Sequence, residues 1–482
     1  MKLSEIIKGC PVIGSEGSLD IEIAGIANDS RKVVPGGLFI AITGCGNDGR
    51  EHIADAVKAG AAALVYEGEA REFDGTSIIV EDSRLAAALA ADNYYGHPSR
   101  SLKLVGITGT NGKTTTVTLL HNMFRALGHE CGLLSTIANY VGDERLETAN
   151  TTSDPITINS LLRRMVEKGC GYCFMEVSSI GVDQKRVSGL HFAAGIFSNL
   201  THDHLDYHGT FAAYLRCKQE FFDSLPKSAV AITNIDDRNG KVMVQNTRAK
   251  VVTYSCRNAA DHKCRILEES FEGMLLNIDG TEVWTSLVGQ HNAYNALAIY
   301  STAVELGIEP EDALVALSAL KAAPGRLEVL HGGNGVNVVI DYAHTPDALE
   351  NVLTTLRAVS PGHELICLFG CGGDRDRSKR PEMAQVAERL ADRIFITSDN
   401  SRTERTEDII EEIKGGLSEK GLAKSISIPD RKEAIRTAIM FAPKGATVLL
   451  AGKGHETYQI IGKEKRHFDE REIVDDVFKN QS

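Results

Sequence analysis

A chain of 482 residues with 43% hydrophobic and 24% charged side chains has the make-up of a globular protein, and at roughly 150 residues per domain it divides into about three. Its longest apolar runs fall short of the ~18 residues a membrane-spanning helix needs, so no membrane insertion is expected. A net charge of −13 excludes wholesale binding of nucleic acid, whose affinity rests on many cationic contacts, so an anionic ligand has to be met by local cations.

The opening MKLSEIIKGCPVIG puts Glu5 and Lys8 where an export signal needs unbroken apolar residues, and a cytoplasmic location is expected. Ten cysteines are scattered, with one CxxC pair, Cys170 and Cys173, and no second pair to complete a zinc site. They are read as reduced thiols.

Along the chain, three stretches differ in pattern, and all three are α/β. Residues 1–97 alternate short apolar strands with Gly-rich turns, as in GGLFIAITGCGNDG, EHIADAVKAG and AAALVYEG, which predicts a small N-terminal α/β domain. GHPSR (96–100) reads as a linker. Residues 98–324 alternate strands such as LKLVGIT, YCFMEVSS, HFAAGIFSNLT and SAVAITNID with helices, which predicts a central, mostly parallel sheet of P-loop ATPase-like type. Its first helix, KTTTVTLLHNMFRALG, carries Val117, Leu120, Phe124 and Leu127 at helical spacing and ends at Gly128 as C-cap. After the break KAAPGR (321–326), residues 325–482 repeat the alternation through VNVVIDYA, ELICLFG, RIFITSD and ATVLLAGKG, which predicts a C-terminal doubly wound, Rossmann-like domain.

The strand LKLVGIT runs into GTNGKTTT and then a helix. Glycines let backbone N–H groups turn towards phosphates, the helix N-terminus adds positive potential, Lys113 can reach the β/γ-phosphates and Thr114 can hold Mg²⁺. The ATP candidates are therefore Gly109, Thr110, Asn111, Gly112, Lys113, Thr114 and Thr115. Ile107 stands where the general P-loop spacing has its first glycine, so the match is to a shorter variant. Glu176 ends one strand and THDHLDYHG (201–209) ends another, offering His202, Asp203, His204, Asp206 and His208; zinc ligation and a solvated polar loop both remain open. Lys218 falls on the apolar stripe of TFAAYLRCKQEFFDSL, where it either snorkels to the surface or, buried, reacts with carbon dioxide to give a carbamate able to hold Mg²⁺.

GTNGKTTT, MEVSS, HDHLDYHG, Lys218, GQHNAYNALAI, APGRLE and DYAHTPDAL, in this order, resemble the Mur ligase family of ATP-dependent amide-forming enzymes of peptidoglycan precursor synthesis. Within it, NDSRKVVPGGLF, ANTTSDP and EVSSIGVDQKRV resemble the members that extend UDP-N-acetylmuramoyl-L-alanyl-D-glutamate by a third residue. The resemblance implies contacts to that nucleotide substrate from Ser30, Thr151, Thr152, Ser178, Gln184 and Arg186. It implies magnesium near Thr114, Glu176, His204 and a carbamylated Lys218, and ATP base and ribose near Asn292, Arg326 and Asp341. The chemistry it implies is phosphorylation of the D-glutamate carboxylate by ATP, with Lys113 and Mg²⁺ offsetting charge, followed by attack of an amine. His344 in DYAHTP faces the same cleft, either as a catalytic group or as loop packing. Two departures from the family pattern are Ser153, where proline usually follows NTT, and Cys45, where several relatives carry histidine.

Four polar motifs follow strands of the last stretch: DYAH, GCGGDRD, SDNSR and AGKGHE. Ligands of open α/β sheets sit beyond such strand ends, so the four should converge. Family members choose between meso-2,6-diaminopimelate and lysine, which differ by one distal carboxylate. Arg402, helped by Arg375, can pair with that carboxylate in forked geometry, while Asp399, Asn400 and Glu456 receive ammonium groups and Gly452 allows close approach. Ser401 stands where the diaminopimelate signature has proline. The expected partners are these small molecules alone, the expected cofactors ATP and Mg²⁺, and the expected state a monomer whose domains close on ligands. The rival readings are a lysine-adding or folylpolyglutamate-type ligase, and a nucleotide-gated binding protein without turnover.

Overall fold

The computed structural model describes residues 1–44, 48–70, 73–148, 150–201, 203, 205–332 and 335–481. Cys45, His202 and His204 lie outside the described residues.

Three main sheets follow one another along the chain. In the first, the buried strands Gly37–Ile40, Ala61–Tyr66 and Thr76–Val80 run parallel, with Val12–Glu16 antiparallel at one edge and Ile26–Ala27 parallel at the other. The helix Ser83–Tyr94 starts where the Asp82 carboxylate accepts the N–H groups of Arg84 and Leu85, satisfying two of the orphan donors of a helix start. It packs against the central helix Pro155–Glu167, which joins the first layer to the second.

At the middle of the central sheet lies Lys103–Thr108, between Tyr172–Glu176 and Phe192–Phe197, all parallel. These strands are covered on both faces and so read in sequence as unbroken apolar runs. The helix Lys113–Ala126 buries Val117, Leu120 and Phe124, and each such side chain contributes roughly 1.5–3 kcal/mol by leaving water. Its C-cap is Leu127, one residue before the expected one, and Gly128 follows at φ +85°, with His129 N–H donating to the Phe124 carbonyl at 2.9 Å. The sheet departs from a purely parallel plan at both edges. Asn139–Val141 and Glu144–Leu146 extend one side, and His262–Ser270, Gly273–Ile278 and Thr281–Thr285 the other, all antiparallel among themselves. Stretches such as HKCRILEES mix exposed and buried positions along an edge, so they lack the apolar run that marks a central strand.

The last sheet runs Glu328–His331, Asn337–Asp341, Thr447–Ala451, Leu365–Phe369, Arg393–Ile396, Ser425–Ser427, parallel except for the first pair. Thr447–Ala451, last in sequence, is inserted between the second and third strands, creating the switch point at which ligand crevices form. A hairpin, Tyr458–Ile461 with Glu464–His467, folds over these ends and bridges Arg402 through Ile461.

Candidate active site

The strand Lys103–Thr108 hands the chain to the helix Lys113–Ala126 through residues 109–112. Backbone geometry requires both glycines of this turn. Gly109 has φ +151° and a Cβ there would lie 2.0 Å from Ser198 Oγ; Gly112 has φ +86° and its Cβ would lie 2.5 Å from Asn295 Oδ1. The neighbouring strand end pins the turn, since Thr110 N–H donates to the Asn199 carbonyl (2.8 Å) and Asn111 N–H to Asn199 Oδ1 (2.9 Å). Among the described residues no side chain caps the helix, whose first-turn residues Lys113, Thr114 and Thr115 line a cleft of about 610 Å³. Its N–H groups are thus available to an anion.

Two lysines crowd this turn. Lys113 Nζ donates to the carbonyls of Gly109 and Thr110, both at 2.8 Å, and Lys218 Nζ donates to the same Gly109 oxygen at 2.9 Å and to Thr108 Oγ1 at 3.3 Å. Lys218 is 1% exposed, so it does not snorkel to the surface. Burial, reinforced by the charge of Lys113, holds its pKa well below the usual lysine value and favours the neutral amine. Beside it, Thr114 Oγ1 donates to Glu176 Oε2 at 3.0 Å and Thr136 N–H to Glu176 Oε1 at 2.8 Å. A buried carboxylate next to a hydroxyl fits Mg²⁺, a hard cation that prefers oxygen. The amine of Lys218 does not fit that ion; a carbamate on the same nitrogen does. The His204 expectation lies outside the described residues, among which no group of three His, Cys, Asp or Glu side chains is arranged to hold a metal. His208 Nε2 lies 2.9 Å from Ser179 Oγ.

The far wall of the cleft comes from the C-terminal sheet. Arg326 lies over the Tyr342 ring at 4.7 Å, and its buried Nε has no hydrogen-bond partner among the described residues. Asp341 accepts the N–H groups of Leu327 (2.7 Å) and Ala343 (2.8 Å), so its carboxylate shapes the turn that carries Arg326. Asn292 lines the cleft and accepts from Asn295 Nδ2 at 2.9 Å. Burial, then the charge of Lys379, pushes the His344 pKa down to about 4. The ring is therefore neutral near pH 7, and with Nδ1 at 2.9 Å from the Tyr342 carbonyl the proton sits there, leaving Nε2 as acceptor.

Five of the six residues expected at the nucleotide substrate form one patch beside Glu176. Thr152 Oγ1 donates to the Glu176 carbonyl (2.9 Å) and accepts Ser178 N–H (3.0 Å), while Ser178 Oγ caps the helix Ser179–Asp183. Arg186 donates to Gln184 Oε1 (2.7 Å) and to the Thr152 carbonyl (2.5 Å), and Thr151 Oγ1 accepts from Thr136 Oγ1 (3.1 Å). Ser30 is apart, in the turn Ser30–Lys32 of the first sheet's domain, with no hydrogen bond to this patch among the described residues.

The C-terminal strand ends converge on a second cavity of about 530 Å³, lined by Arg375, Asp399, Asn400, Arg402, Gly452 and Glu456. Ser401 does not line it; the residue is buried and its carbonyl accepts Glu404 N–H at 3.1 Å. Asn400 Nδ2 donates to Glu456 Oε2 at 2.9 Å, and Arg402 Nη1 donates to the Gly373 carbonyl at 2.8 Å. Asp203, Tyr342, His344 and Asp347 line both cavities, so the two adjoin. Sequence reasoning missed Asn199, Asn295, Asp347 and Lys453. Asn295 had a signal, one helical turn after Asn292 in GQHNAYNALAI; Asp347 and Lys453 lie inside the motifs DYAHTPDAL and AGKGHE without standing out there, and Asn199 is brought in only by the fold.

Comparison with known proteins agrees with this layout. Residues 22–95 match the model described as Mur ligase family, catalytic domain; 107–303 match the Mur ligase middle domain, and 325–454 the Mur ligase, glutamate ligase domain. A Bacteroides fragilis protein named UDP-N-acetylmuramoyl-L-alanyl-D-glutamate–2,6-diaminopimelate ligase is 50% identical, over 99% of both chains. The chain belongs to the Mur ligase family. Another member with the same name, from Clostridioides difficile, is 39% identical over 99% of both chains. Among solved structures, a UDP-N-acetylmuramoyl-L-alanyl-D-glutamate–2,6-diaminopimelate ligase matches this Mur ligase with a TM-score of 0.70 at 32% identity, covering 100% of this chain and 99% of the other. MurF from Acinetobacter baumannii shares the fold at 18% identity, with a TM-score of 0.67 over 99% and 98% of the two chains.

Proposed function

We propose that this Mur ligase joins meso-2,6-diaminopimelate to the D-glutamate of UDP-N-acetylmuramoyl-L-alanyl-D-glutamate, using ATP, to make a peptidoglycan precursor. The observation that carries the reading is the adjacency of two cavities: a phosphate-binding turn lines one, and two arginines with carboxylates and an amide line the other, with His344 in the shared wall. The relatives' names supply the substrates. The division of labour is 1–97 for the uridine nucleotide, 98–324 for ATP and 325–482 for the amino acid.

The glutamate carboxylate attacks the γ-phosphorus of ATP, giving an acyl phosphate and ADP. The incoming amine then adds to the acyl carbon, and the tetrahedral intermediate expels phosphate. A carboxylate approaching a polyanion is the unfavourable feature, and Lys113 with the helix N-terminus offsets that charge. When bound, Mg²⁺ supplies further neutralisation; Thr114, Glu176 and a carbamate on Lys218 are the residues that would hold it. The carbamate forms when the neutral Lys218 nitrogen adds to carbon dioxide and loses a proton. Neutral His344 Nε2 is a proton acceptor in the shared wall. Asn292, Arg326 and Asp341 lie on the base and ribose side, and Ser30, Thr151, Thr152, Ser178, Gln184 and Arg186 hold the uridine nucleotide. The enzyme acts in the cytoplasm, as a monomer.

Arg402 can grip the distal carboxylate of diaminopimelate, which lysine lacks, and a site built around such a partner can reject the analogue by roughly 10⁴-fold. The test offers the purified protein ATP, the nucleotide dipeptide and either amino acid, then weighs the product and measures phosphate release. Diaminopimelate-dependent turnover is expected. Equal turnover with lysine moves the protein to the lysine-adding class, and no turnover leaves a binding protein. Arg402→Ala should raise the KM for diaminopimelate by at least about 100-fold, as for loss of a charge-assisted pair, with ATP binding unchanged.

A further inference from the structure

We infer that Lys453, buried behind the amino-acid cavity, sets the charge of that cavity so that a distal ammonium-plus-carboxylate head is accepted and a lone ammonium is refused. The inference rests on the reading of the cavity given above.

Lys453 follows the strand Thr447–Ala451, is 0% exposed, and is not one of the residues that line the cavity. Its Nζ instead touches three that do: Glu456 Oε2 at 3.1 Å, Asn400 Oδ1 at 3.2 Å and Asp399 Oδ1 at 3.7 Å. The rings of Tyr458 and Phe468, 5.8 and 5.9 Å away, close the cage on other sides. A lysine enclosed in this way cannot bind substrate itself and acts only through the groups it touches. Together with Ile460 N–H, which donates to Asn400 Oδ1 at 2.9 Å, it turns the Asn400 amide so that Nδ2 faces Glu456.

Charge at this end of the cavity is the consequence. Asp399 and Glu456 contribute negative charge beside Lys453, and Arg375 and Arg402 positive charge on the cavity wall. Arg431, the other cation near Asp399, is cancelled by Glu470, 2.8 Å away and equally buried. Without Lys453 this end is one unit more negative, which favours a lone ammonium such as the lysine side chain presents. With Lys453 that unit is removed, which disfavours the lone ammonium and leaves a zwitterionic head, whose net charge is zero, unaffected to first order. The buried cation thus removes the electrostatic advantage that the shorter-charged competitor would otherwise enjoy, which is specificity by exclusion.

The test measures kcat/KM of the full-length protein for diaminopimelate and for lysine, at saturating ATP and nucleotide dipeptide, for the wild type and for K453M and K453Q. The diaminopimelate-to-lysine ratio is expected to fall by roughly tenfold or more, the order expected of one unit charge a few ångströms behind a pocket at an effective dielectric of about 20. The KM for ATP should not move. A purely structural role lowers both substrates alike, and an unchanged ratio overturns the inference. Should the Lys453 variants fail to fold, E456Q gives the opposite sign, a ratio above that of the wild type, and an unchanged or lower ratio is equally fatal. A wild type with no preference for diaminopimelate sinks the reading of the cavity itself; a preference that survives K453M sinks only the role of Lys453.

Discussion

A single carbonyl oxygen, that of Gly109, accepts from both Lys113 and Lys218, and two ammonium groups on one acceptor in a buried site repel each other. Losing the Lys218 proton relieves that repulsion, and a neutral amine is the form that reacts with carbon dioxide. Protein exposed to ¹³C-labelled bicarbonate should show a carbamate carbon resonance that disappears in Lys218→Ala; a spectrum without it leaves Lys218 an amine. Histidines of the same region carry a second consequence. Burial pushes His291 and His344 down to about 4 and His455 to about 3, from an ordinary value of 6.5. The unfolded chain therefore binds more protons than the folded one below pH 6.5, so stability present above that value is lost as pH falls towards 4. The Tm should drop between pH 7 and 5, before strongly depressed carboxylates such as Glu404, held at about 2 by Arg380, lose their contribution. His455→Gln should flatten that slope, and a Tm unchanged across the window contradicts the assignment.

At the scale of loops and strands, the amino-acid cavity depends on two non-glycine residues in the left-handed region, Asp374 at φ +55° and Arg402 at φ +49°. Such conformations cost of order 1–3 kcal/mol each and persist only when surroundings over-determine them. The surroundings here are a staple between loops. Thr403 Oγ1 donates to Asp374 Oδ1 (2.6 Å), Asp374 N–H to Glu404 Oε1 (2.6 Å), and Glu404 also receives buried Arg380 (2.9 Å) and Arg377 (2.6 Å). Gly373 lies so close that a Cβ would sit 1.9 Å from the Ser401 carbonyl oxygen. Gly373→Ala should part the two loops and misplace Arg402, raising the KM for diaminopimelate by about tenfold to 100-fold, the cost of an ångström-scale displacement, with the KM for ATP unchanged. Steady-state kinetics on both substrates checks this. It also separates the loop staple from Arg402 itself, because Gly373 makes no ionic contact that substitution would remove.

Across the whole molecule, the phosphate-binding turn and the amino-acid sheet already touch. Asn111 Nδ2 donates to Asp347 Oδ2 at 2.7 Å, joining the turn to the first turn of the helix Pro346–Val359. Ligands that bridge the adjoining cavities are expected to draw the C-terminal domain inward. Small-angle scattering should show a smaller radius of gyration with a non-hydrolysable ATP analogue, nucleotide dipeptide and diaminopimelate together than with any one alone; superimposable profiles count against closure. Asp347→Ala should weaken the contraction.

Much of this architecture is legible in the sequence. Unbroken apolar runs and helix-spaced Val117, Leu120 and Phe124 marked the buried parallel core, because periodicity is a local property of the chain. The turn at 109–115 and the four polar motifs after C-terminal strands were equally visible, since each is a contiguous segment whose chemistry differs from the strand before it. Tertiary structure alone decided the rest. It showed the antiparallel edges of the central sheet, buried Lys218 instead of letting it reach water, and set Asn295 against Gly112 and Asp347 against Asn111. It also enclosed Lys453 among Asp399, Asn400 and Glu456. The reason is distance along the chain: burial and pairing between residues tens to hundreds of positions apart depend on how layers pack, and no local pattern records it.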